Sequence, residues 1–393
     1  MDSSQIRSVF TDFYSERGHR RIVDSSLLPP QGDSVLFTTS GMHSLTRYLA
    51  GDPHPQGERL VNVQRCLRTT DLEEVGDCTH LTVFQMLGSW SLGNYPHDQS
   101  LSWGYELLRD GLGVDPARMY VTVFGGNRQV GLDRESLQVW NDLQVPVELT
   151  VEDNWWSNGP TGPCGPDSEI FLWTGSGAPL GTPGTDDRWV EVWNHVSMRY
   201  LRHQDGSLQP LVRQNVDTGM GLERITMVLQ GRTSVYETDL LEPWIRHTST
   251  LWPLPQRSRR IVVDHLRAGL VLLGDGVLPS NKGRGYVLRR LLRRALSILW
   301  EVNADSTLER LPPDLLELTR YHFEFPRDAP LSGWHDEMLQ EEARFRDLLQ
   351  RGRAAVRQRL RHGRLTEDDL LFLQDTHGLP RDLVLGLLVP QLG

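Results

Sequence analysis

Cysteine is scarce in this chain: Cys66, Cys78 and Cys164 are the only three in 393 residues. An odd count with no metal-ligand spacing argues against a disulfide scaffold and against a zinc site. No uninterrupted apolar stretch approaches the roughly 20 residues that span a bilayer. The opening MDSSQIRSVF lacks the basic-then-apolar pattern of a secretion signal, so a cytoplasmic protein with no membrane partner is expected. Internal repeats and low-complexity tracts are missing. The G-x-x-x-x-G-K-[ST], G-x-S-x-G and H-E-x-x-H patterns are missing too, which removes P-loop, serine-hydrolase and metalloprotease readings. The histidines, His19, His80 and His195 among them, form no ligand pair at short spacing. Lysine is nearly absent as well. Lys282 stands alone beside 40 arginines, a bias that fits a GC-rich genome and does not itself mark a binding site.

Hydrophobic residues make up 38% and charged residues 23%, the mixture of an ordinary globular protein and not of a disordered or fibrous one. The length predicts two or three domains. A net charge of −10 argues at first against a nucleic-acid partner. The charge is uneven, however. Residues 1–250 carry 19 basic and 32 acidic side chains, whereas residues 251–393 carry 22 and 19. That asymmetry predicts two regions with different partners.

The first 250 residues read as mixed α and β. Met119–Phe124 and Trp189–Tyr200 have strand character, Leu101–Leu112 has helix character, and Ser157–Pro166 and Gly175–Gly184 read as Gly/Pro loops. Beyond about residue 250 the pattern turns helical. Over 286–299, Arg289, Arg290, Arg293 and Arg294 share one arc of a helix. Val287, Leu288, Leu291, Leu292, Ala295, Ile298 and Leu299 share the other. A second helix is expected over about 334–361.

Four segments can carry chemistry. In Val61–Gly93, strand-like runs at 61–69 and 79–87 flank Asp71–Cys78, a hairpin that brings Arg65 or Arg68 and Gln85 to one end of a sheet. Arginine on a strand suits phosphate, because its planar fork binds two oxygens; an edge hairpin with solvated arginines would look the same. In Gln214–Arg224 a carboxylate, two glycines and an arginine coincide, so Asp217 can meet an ammonium and Arg224 a polyphosphate. A capping aspartate at a turn into a helix is the competing reading. In Asn154–Glu169 two tryptophans precede a Gly/Pro segment and can wall a small pocket or fill a core. Asn194 interrupts the apolar strand face of Val190, Val192, Val196 and Met198 and needs a partner, structural or bound.

Taken in order, these segments resemble the alanyl-tRNA synthetase family of class II aminoacyl-tRNA synthetases. The likeness runs through FYSERGHRRIVDSSLLP (13–29), FTTSGM (37–42), QRCLR, HLTVFQMLGSWSLG, NWW, TGPCGPDSEIF, VEVWN and NVDTGMGLER. It continues in DHLRAGLVLLGDGVLPSNKGRGYVLRRLLRRA (264–295) and LQDTHGLPRDL (373–383), nearly the whole chain. The resemblance implies a mixed α/β (α+β) fold: an antiparallel class II sheet flanked by helices over 1–245, then a mostly helical acceptor-stem domain over 246–393. It implies Arg68 and Arg224 on the triphosphate of ATP, with Gln85 and Met86 on the nucleotide strand. Asp217 would hold the ammonium of L-alanine. Asn194 and Trp156 would hold its carboxylate and close its pocket, with Met42 and Gly219 beside them. Asn281 and Asp375 would read the G·U pair of the tRNA-Ala acceptor stem, while Arg289, Arg290, Arg293 and Arg294 would contact its phosphates. Mg²⁺ would arrive with ATP, and no zinc or dedicated metal cage is expected.

Three departures from the family pattern stand out. The loop after Arg68 is short, Gln85 replaces the usual glutamate of an F-E-M triplet, and the sequence stops after the acceptor-reading motif, before the family's editing and C-terminal domains. The expected activity is alanine activation followed by transfer to tRNA-Ala. A paralogue that delivers alanine to a non-tRNA acceptor, either a carrier protein or a small metabolite, is the alternative. An inactive tRNA- or adenylate-binding regulator is the third.

Overall fold

The computed structural model describes residues 1–24, 26–29, 35–157, 159–361, 364–377 and 384. They fall into two units, Met1–Ile245 and Arg246–Gly393. Among the described residues the first unit holds one sheet of nine strands: β1 (Arg20–Arg21), β2 (Arg59–Leu67), β3 (Val83–Ser91), β4 (Met119–Phe124), β5 (Val147–Thr150), β6 (Trp155–Ser157), β7 (Gly162–Trp173), β8 (Trp189–Arg202) and β9 (Leu208–Gly221). Their order is β1-β2-β3-β9-β8-β7-β4-β5, with β6 also paired to β7. The pairs β1–β2 and β4–β5 at the two ends are parallel and the rest antiparallel.

Helices α1 (Ser3–Glu16), α2 (Thr46–Leu49), α3 (His97–Glu106), α4 (Arg134–Asp142) and α5 (Leu222–Leu229) flank the sheet, and α6 (Glu242–Leu251) follows. α1 starts at a reciprocal cap: Asp2 Oδ1 accepts from the Gln5 backbone N–H, and Gln5 Oε1 accepts from that of Asp2. Ile6, Phe10 and Tyr14, four residues apart, form its buried stripe. Phe10 meets the indole of Trp193 at 5.8 Å between ring centroids. Trp193 and Asn194 are adjacent on β8 and therefore point to opposite faces. The Trp193 face is covered by helix; the Asn194 face carries the site.

Two sequence expectations need correction. The Gly/Pro segment Ser157–Pro166 is not all loop, because β7 begins at Gly162. A Cβ at Gly165 would lie 1.9 Å from the Ser197 carbonyl oxygen, so glycine is what lets β7 run this close to β8. Pro166 falls in the irregularity between Cys164 and Asp167, where a missing N–H disturbs no ladder bond. Asp217 is no helix cap either: it lies within β9, and α5 starts five residues later.

The second unit is helical: α7 (Gln256–Gly274), α8 (Gly283–Val302), α9 (Pro313–His322), α10 (Leu331–Leu360) and α11 (Glu367–His377). α8 buries Val287, Leu288, Leu291, Leu292, Ala295, Leu296, Leu299 and Trp300, nearly the predicted face, with Leu296 in place of Ile298. No helix among the described residues is long and apolar enough to cross a membrane.

One position in the sheet gives a stability prediction. The indole of Trp90 lies over Gly88, where an added Cβ would sit 2.1 Å from the ring. Because that indole is also hydrogen-bonded, Gly88→Ala has no easy relief. It is expected to cost about 1–3 kcal/mol, read as a fall of roughly 2–10 °C in Tm by calorimetry.

Candidate functional site

Strand register assembles the site. On one face of the sheet, Met86, Gly88 and Trp90 of β3 stand opposite Gly221, Gly219 and Asp217 of β9. Asn194 and Val196 of β8 stand opposite Gly219 and Asp217 in turn. Glu169 and Asp167 of β7 stand opposite Asn194 and Val196. The middle of this face is thus a floor of glycine. A Cβ at Gly219 would meet Met86 Sδ at 2.6 Å, so the methionine lies flat across it.

A cleft of about 560 Å³, its open mouth included, stands over one end of this floor. Its lining includes Arg68, Phe84, Met86, Gly219 and Arg224, together with His80 and the carboxylates Asp71, Glu191 and Glu223. Arg68 follows β2, and its backbone N–H still bonds to Thr82 across the hairpin. Its side chain donates from Nε to the Thr39 carbonyl at 3.2 Å, and its guanidinium lies 5.2 Å over the Phe84 ring. Among the described residues no carboxylate pairs with it. Arg224, in the first turn of α5, pairs with Glu191 Oε2 at 2.9 Å and also donates to the Glu191 carbonyl.

At the other end of the floor a buried carboxylate stands beside an apolar cluster. Asp217 is buried, and its Oδ1 accepts from Trp90 Nε1 at 2.6 Å. Burial pushes this carboxyl up to about 7, the indole hydrogen bond offsetting only part of the effect. Met42 is fully buried in a cluster with Trp90, Val196 and Met198, and Trp156 packs against the same cluster. Met86 Sδ accepts from the Gly41 backbone N–H at 3.3 Å, which ties the 37–42 segment to the floor. Asn194 donates through Nδ2 to Asp167 Oδ2 at 3.0 Å, leaving its Oδ1 buried with no partner. Burial pushes Asp167 up to about 7 despite amide hydrogen bonds from Asn194 and Asn154.

The structure therefore lines the cleft with Arg68, Met86, Gly219 and Arg224; Met42 and Trp156 pack in the cluster of Trp90, Asp217 is bonded to that indole, and Asn194 stands opposite Gly219. Gln85 does not join them. It points to the opposite face, where it is buried and accepts from Arg7 of α1. Arg65, the other candidate on the first hairpin strand, shares that face with Gln85 and is paired to Asp24 at 3.0 Å.

Sequence reasoning also missed residues. His80 was passed over as a lone histidine, yet it lines the cleft with Asp77 Oδ2 2.6 Å from its Nδ1. That hydrogen bond raises the imidazole's pKa and favours a third cation at the cleft. Burial alone would raise Asp77, but hydrogen bonds from the His80 ring and from the His80 and Thr79 backbone hold it at about 2. The available signal was an acid three residues upstream of His80. Glu191, Phe84 and Trp90 were missed as well.

In the second unit the arginine face needs revision. Arg289 and Arg293 both pair with Glu341 of α10, at 3.3 and 2.7 Å, and Glu341 is 1% exposed. These two are internal ion-pair partners; Arg290 is exposed. Arg289 also donates to the Asn281 side chain and, at 3.1 Å, to the Ser280 carbonyl. Asp375 falls on α11, with its side chain outside the described residues, as is most of 373–383.

Residues 5–390 match the family described as tRNA synthetases class II (A). The alanine–tRNA ligase of Treponema pallidum is 40% identical over 97% of this chain and 67% of its own length. That of Treponema denticola is 44% identical over 78% and 54%. That of Rubrobacter xylanophilus is 38% identical over 97% and 46%. The chain thus spans between about half and two thirds of these relatives.

Proposed function

The chain belongs to the class II tRNA synthetases, and on that premise we propose that it activates L-alanine with ATP and transfers the alanyl group to tRNA-Ala. The observation that carries this reading is the two-ended floor: cations at the cleft, and a buried carboxylate beside an apolar cluster a few residues along the same strands. ATP would place its phosphates among Arg68, His80 and Arg224 and its base against Met86. Alanine would place its ammonium on Asp217 and its methyl group among Met42, Trp90, Val196 and Trp156.

The alanine carboxylate oxygen then attacks the α-phosphorus in line, the P–O bond to the β-phosphate breaks, and pyrophosphate leaves with its electron pair. No proton moves in this step, so positioning and cationic stabilisation suffice and a strong base is unnecessary. A ribose hydroxyl at the tRNA 3′ end next attacks the adenylate carbonyl, the bond from that carbonyl carbon to the phosphate oxygen breaks, and AMP leaves with the electron pair while the hydroxyl proton passes to its phosphate. Mg²⁺ bound with ATP would neutralise phosphate charge; Glu191 and Glu223 supply carboxylates at the cleft, and among the described residues no group of three or more ligands forms a cage of its own. The second unit is assigned to acceptor-stem recognition, with Asn281 and Asp375 reading bases and Arg290 and Arg294 contacting phosphates. The relatives are alanine–tRNA ligases, which favours tRNA over a non-tRNA acceptor or an inactive regulator.

Two assays on one sample test this. Alanine-dependent ATP–pyrophosphate exchange is expected, together with charging of tRNA-Ala that falls when the acceptor G·U is changed to G·C. Exchange without charging would overturn the tRNA assignment, and no exchange would overturn the activity. The pocket also predicts imperfect selection at the activation step. An apolar pocket rejects an added hydroxyl, or a missing methyl, by only about 10²-fold. Serine and glycine are therefore expected to support exchange with kcat/KM about 10²-fold below alanine, and exchange at background for both would contradict this.

A further inference from the structure

We propose that Arg289, anchored on the buried Glu341, is a positioning residue that turns the Asn281 amide so that its NH₂ group, and not its oxygen, meets the RNA. The proposal rests on the reading above that Asn281 reads a base of the acceptor stem. Glu341 of α10 is 1% exposed, and its Oε1 accepts from Arg293 Nε at 2.7 Å and from Arg289 Nε at 3.3 Å. A buried carboxylate shared in this way holds the Arg289 guanidinium by one edge. Nη1 of the same group then reaches the loop before α8, where it donates to the Ser280 carbonyl at 3.1 Å and to Asn281 Oδ1. The loop has little freedom of its own. A Cβ at Gly285 would lie 2.8 Å from the Ser280 backbone nitrogen, so glycine is what lets the loop lie against the first turn of α8. Ser280 Oγ also donates to the Lys282 carbonyl at 2.9 Å.

The direction of the amide follows from the chemistry of arginine. A guanidinium keeps its charge in proteins and has donors only, so the Asn281 side chain can meet it with oxygen alone. That leaves the NH₂ group, a pair of donors, on the outward side of an exposed residue. An amide free to turn would offer donor and acceptor by turns. It would lose its choice between base edges, which differ in where donors and acceptors stand. Held by Arg289, Asn281 selects an acceptor on the RNA. Arg289 thus serves recognition without touching RNA, in place of the phosphate contact that the family resemblance implies for it.

The test uses the full chain and tRNA-Ala transcripts that carry either G·U or G·C in the acceptor stem. Arg289→Ala and Asn281→Ala are each expected to lower kcat/KM for charging the G·U transcript by about tenfold, the loss of one base contact. The preference for G·U over G·C should fall by the same factor. The double variant should be no worse than the poorer single one, because both remove the same contact. Arg293 keeps Glu341 paired in Arg289→Ala, so alanine-dependent exchange, which uses no tRNA, should match wild type. Asn281→Asp keeps an oxygen for Arg289 but turns an acceptor outward, and it should charge no better than Asn281→Ala. Arg289→Lys, whose single ammonium cannot span Glu341 and Asn281 together, should fall between wild type and Arg289→Ala, and it carries the test if the alanine variant does not fold. The slope of tRNA affinity against salt should be the same in wild type and Arg289→Ala. A direct phosphate contact predicts another pattern: equal losses on both transcripts and a salt slope shallower by about one. That result would overturn the proposal. So would additive losses in the double variant, unchanged charging by Arg289→Ala, or wild-type charging by Asn281→Asp. A wild-type chain that catalyses exchange but charges no tRNA would instead overturn the tRNA assignment on which the proposal rests.

Discussion

Arg68→Ala is expected to lower the kcat of alanine-dependent ATP–pyrophosphate exchange by about 10²- to 10³-fold, the usual loss when one preorganised donor to a developing anion is removed. The folded protein should scarcely register the change. The Arg68 side chain makes one hydrogen bond, to the Thr39 carbonyl, and rests on Phe84 with no carboxylate partner among the described residues. Calorimetry should place the Tm of the variant close to wild type. Arg68→Lys restores the charge but not the planar fork, so it should recover only part of the rate. Arg224 is a less clean test, because its removal also releases Glu191 from an ion pair. A loss of less than about threefold in Arg68→Ala would take Arg68 out of the phosphate site.

Asp217→Asn carries the second large effect. Asparagine keeps an oxygen for Trp90 Nε1 but leaves the substrate ammonium without a counter-charge. Breaking a buried pair from one side costs about 3–5 kcal/mol, at least about 10²-fold in the KM for alanine. The pH dependence follows from the same carboxyl. Its pKa in the folded, ligand-free protein is about 7, raised from 3.8 by burial. Only the ionised form attracts an ammonium, so below pH 7 binding must expel a proton and affinity falls up to tenfold per pH unit. Above pH 7 it levels off. The sign for stability is opposite: the unfolded chain has already lost this proton above pH 4, so the ligand-free fold loses stability as pH rises from 4 to 7. Alanine binding measured by calorimetry from pH 5.5 to 8 reads the first effect. The slope below pH 7 should shrink in Asp217→Asn, and an unchanged slope would mean that another group titrates.

Much of this site was legible in the sequence because its parts lie on strands, where spacing translates directly into direction. The hairpin arginine and the lone asparagine on an apolar strand face could each be read that way, whereas the Asp-x-Gly-x-Gly run of β9 reads from sequence as a turn into a helix. The same rule, applied strictly, would have separated Gln85 from Met86. Adjacent strand residues cannot both face one ligand; Gln85 is drawn in by its place at one end of the hairpin and by the family motif that contains both. What could not be read were partners distant in sequence. Trp90 looks like any core tryptophan until β9 places Asp217 opposite it, 127 residues on. Arg289 and Arg293 fall on the polar arc of α8, yet the carboxylate they share arrives from α10, 48 residues or more downstream. A helical period reports which side chains avoid the nearest core, and a charged partner brought in by another helix leaves no mark on it.

The wall around Asp217 has a consequence for how the selectivity of this chain can change. The floor cannot be deepened, since Gly88 and Gly219 have nothing left to remove. A larger amino acid would have to be admitted by trimming Met42, Val196 or Trp156. Met42 and Val196 belong to the same buried cluster as Ile22, Leu45, Leu60 and Trp90, and Trp156 packs against it. Truncating a buried methionine costs about 2–5 kcal/mol, a large share of what holds a typical domain folded. With alanine placed as proposed, drift toward bulkier substrates is opposed by the folding of the chain itself, so a variant that changes its amino acid has to be restabilised elsewhere first.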